Sequence, residues 1–201
     1  MRWHPHHYAV ATEQVLDVGR LAKISEAAAE EADESGYLAG NQMYQDLRGY
    51  GWSDVDRSLE TERRFIARLQ AAKDLEAEAA SLDDERFDCF DPADGLWGLD
   101  IGVASAAIAL SALGAVPVGS CNAGGFGGRH QGAYPYVAFF IGSAEPNLVI
   151  SIARAAGVGL RSDESGLAQI FGCGDLDLLG FAELATKRQG PSDGPAHSSP
   201  S

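Results

Sequence analysis

The feature that most constrains the fold is a segment without charge in an otherwise highly charged chain. Residues Ile101 to Val118 contain no Asp, Glu, Lys or Arg, although charged residues make up 22% of the sequence. Gly114 and Pro117 interrupt this segment, which makes it a poor membrane span. We therefore predict a helix from Ile101 to Leu113 that is buried on almost every side, with Asp100 as its N-cap, followed by a strand.

The rest of the second half alternates short apolar segments with turns marked by glycine or proline. The residues from Tyr134 to Ile141 are mostly aromatic or β-branched, which is typical of a strand. The predicted order is a helix over 101–113, strands over 115–121 and 134–141, a helix over 146–157, strands over 158–161 and 167–171, and a helix over 175–187. This α-β-β-α-β-β-α order favours an α+β domain over residues 99–188 with an antiparallel or mixed sheet.

The first half of the chain has the pattern of helices. Apolar residues recur with a period near 3.6 from Ala9 to Glu34 and again from Val55 to Leu82. Two such helices predict a helical hairpin, or helical extension, over residues 1–82. Residues 83–98 are acidic and predict a linker, and the Gly-, Pro- and Ser-rich residues 189–201 are typical of a disordered tail.

Composition limits the partners of the protein. The chain carries 29 acidic and 15 basic residues, which gives a formal net charge of −14. Phosphate contacts need clustered Lys and Arg, so unaided binding to DNA or RNA is not expected, and anionic membrane surfaces are disfavoured as well. The polar N-terminal residues resemble no signal peptide, and three widely spaced cysteines form no disulfide framework. We therefore expect a cytoplasmic protein with no membrane association.

A glycine-rich segment, Gly119 to Gly132, joins the first two predicted strands and is the best candidate for a ligand site. It lacks the Lys-Ser/Thr of a P-loop and the spacing of a dinucleotide-binding loop, and a strand rather than a helix follows it. Its six glycines could serve only to turn the chain. In the ligand-binding interpretation, its amides and polar groups hold a small molecule or anion. The candidate ligand-binding residues are Ser120, Asn122, Gly124, Gly125 and Arg129.

The same segment contains a candidate catalytic pair, Cys121 and His130. A thiol and an imidazole within reach of each other can act as nucleophile and base. The alternative, and commoner, role of a cysteine at the end of a core strand is that of a small buried hydrophobe. The remaining Cys and His residues are scattered singly, so no metal site is predicted. The residues themselves indicate no particular cofactor and leave open whether the protein is an enzyme.

The order of Ser120-Cys121-Asn122-Ala123-Gly124, His130 and the strand Tyr134 to Ile141 resembles small α/β domains in which a Ser-Cys-x-Gly-type motif ends a strand. The wybutosine-synthesis methyltransferases are among them. The resemblance covers residues 99–142, about a fifth of the chain, and it implies a site near Ser120 to His130, S-adenosylmethionine as cofactor and a tRNA substrate. Here, however, two residues separate Cys121 from the first glycine, the basic residue of the motif is displaced to Arg129, and the acidic charge disagrees with a tRNA substrate.

Two functions of different classes follow from these features. The first is binding of a small ligand at the glycine-rich segment, with or without catalysis, because loops on a rigid scaffold commonly carry function. The second is a non-enzymatic interaction or regulatory role, in which the N-terminal helices dock a protein partner or a second copy of the chain as a homo-oligomer.

Overall fold

The computed structural model describes residues 4–22, 47–88, 96, 98–126 and 132–189, which form an α+β protein. The described residues contain five α-helices: α1 (Trp52–Ala71), α2 (Leu75–Asp88), α3 (Ala104–Ala112), α4 (Pro146–Ala156) and α5 (Asp177–Gln189). They contain five strands: β1 (Gln14–Val15), β2 (Val116–Cys121), β3 (Tyr136–Phe140), β4 (Gly159–Ser162) and β5 (Ala168–Phe171).

The strands form one mixed sheet in the order β1-β4-β5-β3-β2. Strand β1 is parallel to β4, and the other neighbouring pairs are antiparallel. Because side chains alternate along a strand, the sheet has two different faces. The inner face is buried and consists of Val137, Phe139, Leu160, Ala168 and Ile170. The outer face is partly open to solvent and carries Cys121, Tyr136, Ala138, Arg161, Gln169 and Phe171.

The main core lies between the inner face and the helices. Helices α3, α4 and α5 contact the strands, and α1 packs on α3 and α5. Val55 and Leu59 of α1 belong to the same buried cluster as Ile108 of α3 and Phe139 of β3. Burial of each such side chain contributes about 1.5–3 kcal/mol. Helix α1 is therefore an integral part of the α+β core rather than a separate helical extension.

The prediction of a first helix over residues 9–34 is wrong for residues 9–22, the part of this segment that the structure describes. Residues 9–22 contain strand β1 and a 3₁₀ helix at Val18–Arg20, and residues 23–34 lie outside the described residues. The N–H of Leu160 donates to the carbonyl of Glu13 at 3.2 Å. The backbone around β1 therefore pairs with β4 and does not form the hydrogen bonds of an α-helix. Val15, on the predicted apolar stripe, is 65% exposed. The predicted hairpin therefore lacks the N-terminal half of its first helix.

The second predicted helix, over 55–82, is observed as two helices. Helix α1 ends at Ala71, where Ala72 adopts an extended conformation, and α2 starts at Leu75. Arg68 joins them through ion pairs to Glu78 at 2.8 Å and Glu85 at 2.5 Å. Helix α2 continues to Asp88, so residues 83–88 are helical and not part of the linker predicted over 83–98.

The elements predicted after residue 100 overlap those of the structure, with one correction at the start of α3. The predicted N-cap Asp100 does not cap this helix, which begins at Ala104 after a turn over 101–103. Glu62 of α1 supplies the capping carboxylate instead. Helix α5 extends to Gln189, and the rest of the predicted tail, 190–201, lies outside the described residues.

The helices are too short or too polar to be membrane spans in the part of the chain that the structure describes. The most apolar of them, α3, has nine residues. At about 1.5 Å per residue it covers less than half of a hydrocarbon core that is about 30 Å thick.

Candidate ligand site at the glycine-rich end of the sheet

Three chain segments converge where the glycine-rich segment leaves the sheet. One row of paired residues runs across the four strands β2, β3, β5 and β4; it consists of Cys121, Tyr136, Phe171 and Gly159 in that order. Residues 122–126 follow β2, and residues 172–176 follow β5. Segment 4–8 pairs with residues 172–176 through an isolated antiparallel β-bridge between His7 and Gly174. We call this region the loop end of the sheet.

Cys121 is buried at the loop end, with 7% of its surface exposed. Its Sγ accepts a hydrogen bond from the N–H of Ala123 at 3.3 Å, and Gly132 lies so close that a Cβ there would be 3.1 Å from the sulfur. Burial raises the pKa of the Cys121 thiol, and the charge of Asp100 raises it further. Since the thiolate is the nucleophile, these surroundings favour the small buried hydrophobe over the catalytic interpretation.

Asn122 connects the loop to the turn before α3. It is 2% exposed, its Nδ2 donates to the carbonyl of Ile101 at 3.1 Å, and its Oδ1 accepts from the N–H of Gly124 at 2.9 Å. The amide nitrogen and the amide oxygen of Asn122 therefore both form hydrogen bonds inside the protein, and these bonds hold the loop in place. Ser120 is half-buried on β2 opposite Val137.

The first amides of the loop are directed inward. The N–H of Ala123 donates to Cys121 Sγ, that of Gly124 to Asn122 Oδ1, and that of Gly125 to the carbonyl of Asn122 at 3.2 Å. An anion nest needs successive amides that point to a common centre outside the chain. The amides of residues 123–125 do not offer one in this conformation.

Gly125 lies directly against the buried carboxylate of Asp175. A Cβ at Gly125 would be 2.6 Å from Asp175 Cγ, which is too close for any other residue. The carboxylate also accepts from the backbone N–H of His6 at 2.7 Å and from Tyr8 OH at 2.7 Å, and His6 Nδ1 lies 3.1 Å from Oδ2. Burial, followed by the hydrogen bond to Asp175, raises the pKa of Tyr8. Asp175 thus fastens segment 4–8 and the loop to one another.

The N-terminus of α3, next to the loop, is occupied by a side chain of the protein. Glu62 is fully buried and accepts from the N–H groups of Gly102 at 2.7 Å, Ala104 at 3.1 Å and Ser105 at 3.2 Å. Burial raises the pKa of Glu62, while these hydrogen bonds act in the opposite direction. A helix N-terminus is a ready anion site, but here an internal carboxylate fills it.

Arg161 is held in one orientation on the outer face. Its Nε and Nη2 donate to Gln169 Oε1 at 3.0 and 2.6 Å, and Nη2 also donates to Tyr134 OH. The guanidinium carbon lies 5.4 Å from the ring centre of Tyr134 and 5.1 Å from that of Phe171, within the range of cation–π attraction. Tyr134 lies two residues after the end of the glycine-rich segment and so connects this arginine to the loop end.

A groove of about 330 Å³ opens beside Arg161 on the outer face. Ala138 and Leu167 provide apolar wall, Gln169 supports the guanidinium, and Ser162 and Asp163 provide polar wall. Among the described residues, Arg161 has hydrogen-bond partners but makes no ion pair, in contrast to Arg63 and Arg68. A positioned cation thus faces the groove without a neutralising carboxylate of its own.

The structure brings some of the predicted site residues together and leaves others outside its description. Ser120, Cys121, Asn122, Gly124 and Gly125 lie together at the loop end, whereas Arg129 and His130 fall outside the described residues. The sequence patterns did not indicate Arg161, Gln169 and Tyr134, because these residues come together through strand pairing and no short sequence motif contains them. His6 and Tyr8 were missed because terminal residues carry no sequence signal for docking on Asp175.

In the described part of the chain, no group of three or more His, Cys, Asp or Glu residues is placed to hold a metal ion. No protein-family model, no curated protein and no solved structure matches this chain. The resemblance of residues 99–142 to the wybutosine-synthesis methyltransferases, with its implied S-adenosylmethionine and tRNA, therefore stays a prediction.

Proposed function

We propose that this protein binds a small organic anion in the groove on the outer face of the sheet, with Arg161 as the anchor. The observation that carries the proposal is the guanidinium itself, which Gln169, Tyr134 and Phe171 hold in place beside a groove of about 330 Å³. A side chain fixed in advance loses little conformational freedom on binding, so more of its interaction energy appears as affinity.

A carboxylate fits this groove better than a phosphate. Arg161 is the one Lys or Arg among the residues that line it, and Asp163 lines it as well, so the second negative charge of a phosphate monoester would be repelled more strongly than the single charge of a carboxylate. The guanidinium has five N–H donors, and Gln169 and Tyr134 use those on Nε and Nη2. In the part of the chain that the structure describes, the N–H groups of Nη1 have no hydrogen-bond partner and can donate to the ligand. Ala138 and Leu167 would contact its apolar part.

The glycine-rich segment keeps a role in this proposal as a neighbour of the groove. Its C-terminal end leads toward Tyr134, one of the two adjacent rings that the guanidinium of Arg161 contacts. Ligand contacts from Ser120 and Arg129, and catalysis by Cys121 and His130, stay predictions that extend the proposal.

Protein docking through the N-terminal helices has less support. The apolar stripe of α1, including Val55, Leu59 and Leu69, is buried within this chain. In the described ranges, the large hydrophobic residues that are exposed are Val15 and Val18, and neither lies on an α-helix.

The test is a titration with sodium acetate and sodium benzoate, followed by two-dimensional NMR of the full chain. We expect saturable shifts in the signals of residues 161–169 and a loss of affinity of about tenfold in Arg161→Gln. The matched control is Arg154→Gln, because Arg154 is an exposed arginine that also bonds to a glutamine, Gln14, but lies outside the groove.

The proposal is wrong if neither carboxylate shifts these signals, or if Arg161→Gln binds them as tightly as the unchanged protein. A spectrum of Arg161→Gln that keeps the dispersion of the parent protein excludes unfolding as the cause of a loss. Arg161→Lys keeps the charge and loses the planar fork, so we expect it to bind more weakly than the parent protein.

A further inference from the structure

The groove beside Arg161 has a second charged wall, the carboxylate of Asp163. Asp163 follows Arg161 by two residues and comes directly after the last residue of β4, and both are exposed and line the groove. Residues two apart along an extended chain are separated by roughly 7 Å between Cα atoms and project to the same side. An arginine and an aspartate in this arrangement would ordinarily be expected to pair.

The two charges are instead held apart by separate hydrogen-bond networks. The guanidinium is turned toward Gln169, Tyr134 and Phe171. Asp163 Oδ1 accepts from the N–H of Ser165 at 2.9 Å, from Ser165 Oγ at 2.6 Å and from the N–H of Leu167 at 3.1 Å. These hydrogen bonds, first of all that from Ser165 Oγ, lower the pKa of Asp163, so the carboxylate is ionised at neutral pH.

The second carboxylate oxygen is the one that can receive a ligand. In the described part of the chain, Asp163 Oδ2 accepts no hydrogen bond, because the turn over 163–167 is closed by Oδ1. The groove therefore presents an anchored cation and an anchored anion with a gap between them. A carboxylate ligand without a cationic group would bind to Arg161 but would leave Asp163 Oδ2 without a partner.

Resting on the proposed function, we infer that the ligand is a zwitterion of the amino-acid class, with its carboxylate on Arg161 and its ammonium group on Asp163 Oδ2. Each charge-assisted hydrogen bond spans about 2.8 Å. Two of them, added to the separation of the charged groups within a small amino acid, can join two charges that do not pair with each other directly, as is the case for Arg161 and Asp163 in the described structure.

The test compares ligands that differ only in the ammonium group. Glycine is titrated against acetate, β-alanine against propionate and γ-aminobutyrate against butyrate, with calorimetry or NMR of the full chain. We expect at least one amino acid to bind about two- to fivefold more tightly than its carboxylate counterpart, which lies in the upper part of the range for an exposed ion pair. The best chain length reports the distance between the two charged walls.

Two variants test whether Asp163 causes the preference for amino acids. Asp163→Asn should remove the preference for the amino acid while it leaves carboxylate binding equal or stronger. Ser165→Ala loosens the turn but keeps the charge, so it should retain the preference and serves as the control for turn disruption.

The outcomes separate the two proposals. If carboxylates bind through Arg161 and the amino acids bind no more tightly, or if Asp163→Asn keeps the preference, the zwitterion inference is overturned and the proposed function stands. If no carboxylate binds in an Arg161-dependent manner, both are overturned.

Discussion

Asp175 and Gly125 are in such close contact that the carboxylate fills the place of a side chain on the glycine. A Cβ at Gly125 would be 2.6 Å from Asp175 Cγ. The same carboxylate accepts hydrogen bonds from His6 and Tyr8, so one buried acid connects segment 4–8, the turn after β5 and the glycine-rich loop. Part of the glycine content of the loop therefore serves packing rather than ligand binding.

A methyl group at Gly125 should disrupt this contact. We expect Gly125→Ala to lower the free energy of unfolding by about 1–3 kcal/mol, the usual range for overpacking. Gly119→Ala is the matched control, because a Cβ at Gly119 has open space around it and the backbone there needs no positive φ. Urea denaturation of both variants measures the difference. Equal stability of the two would contradict the close packing of Gly125 on Asp175.

The hydrogen bond from Tyr8 to Asp175 should contribute measurably to stability. A hydrogen bond to a charged partner contributes about 1.5–3 kcal/mol, so Tyr8→Phe should lower the free energy of unfolding by roughly that amount. Tyr136→Phe is the control, since in the described part of the chain the Tyr136 hydroxyl has no hydrogen-bond partner.

Tyr8 also provides a spectroscopic check. Burial and the hydrogen bond to Asp175 raise its pKa above the ordinary value for a phenol. In an alkaline titration followed by ultraviolet absorbance, the parent protein should therefore show a late-ionising tyrosine that Tyr8→Phe lacks. If Tyr8→Phe instead loses amplitude from the normally ionising tyrosines and keeps the full late phase, to which Tyr136 also contributes, Tyr8 is not held by Asp175.

Glu62 should make stability depend on pH in a direction opposite to that of most carboxylates. Burial raises its pKa in the folded state above the unfolded value. A carboxyl group whose pKa is higher in the folded than in the unfolded state contributes its full stabilisation below the pKa of the unfolded state. This contribution to the free energy of unfolding is lost as the pH rises through the pKa of the folded state. The stability advantage of the parent protein over Glu62→Gln should therefore be largest near pH 4, the ordinary pKa of a glutamate, and decrease as the pH rises above it.

Denaturation curves of both proteins across this range measure the advantage, and because only Glu62 differs, other titrating groups cancel in the comparison. An advantage that grows with pH would mean that the hydrogen bonds from Gly102, Ala104 and Ser105 outweigh burial. Glu62→Ala, which leaves these helix amides without a partner, should be less stable than Glu62→Gln at every pH.

Cys121 should be slow to react in the folded protein. It is buried, and its surroundings raise the pKa of the thiol, so little thiolate is present at neutral pH. We expect alkylation by iodoacetamide to be at least about tenfold slower in the native protein than after unfolding in urea. Mass spectrometry of the Cys121 peptide measures the rate. A rate in the native protein that matches or exceeds the unfolded rate would support the nucleophile interpretation instead.

The secondary structure after residue 100 could be predicted because the local signals agree with the tertiary structure. Pro146 in the first turn and Gly157 in the left-handed conformation mark the ends of α4 as expected. Gly114, with a φ of 95°, follows the end of α3, and β3 lies within the aromatic and β-branched segment that was predicted as a strand. These are properties of a few neighbouring residues, which a sequence displays directly.

The start of the chain could not be predicted, because its conformation depends on a partner far away in sequence. The apolar spacing over 9–22 fits a helix, but Gln14 and Val15 pair with Leu160 and Arg161 of β4. Pairing with an existing sheet satisfies the backbone groups that a helix would otherwise satisfy by itself. The same applies at the start of α3, where Glu62 replaces the local cap expected from Asp100.

The sequence by itself determined the α+β class, the acidic surface charge, the buried helix α3 and the place of the glycine-rich segment between two strands. Only the tertiary structure decided what the polar residues around it do. It turned the loop amides and Asn122 inward, filled the helix N-terminus with Glu62, and brought Arg161 beside Gln169 and Tyr134. The reason is that hydrogen bonds and ion pairs between distant strands are set by register and packing, which no local pattern encodes.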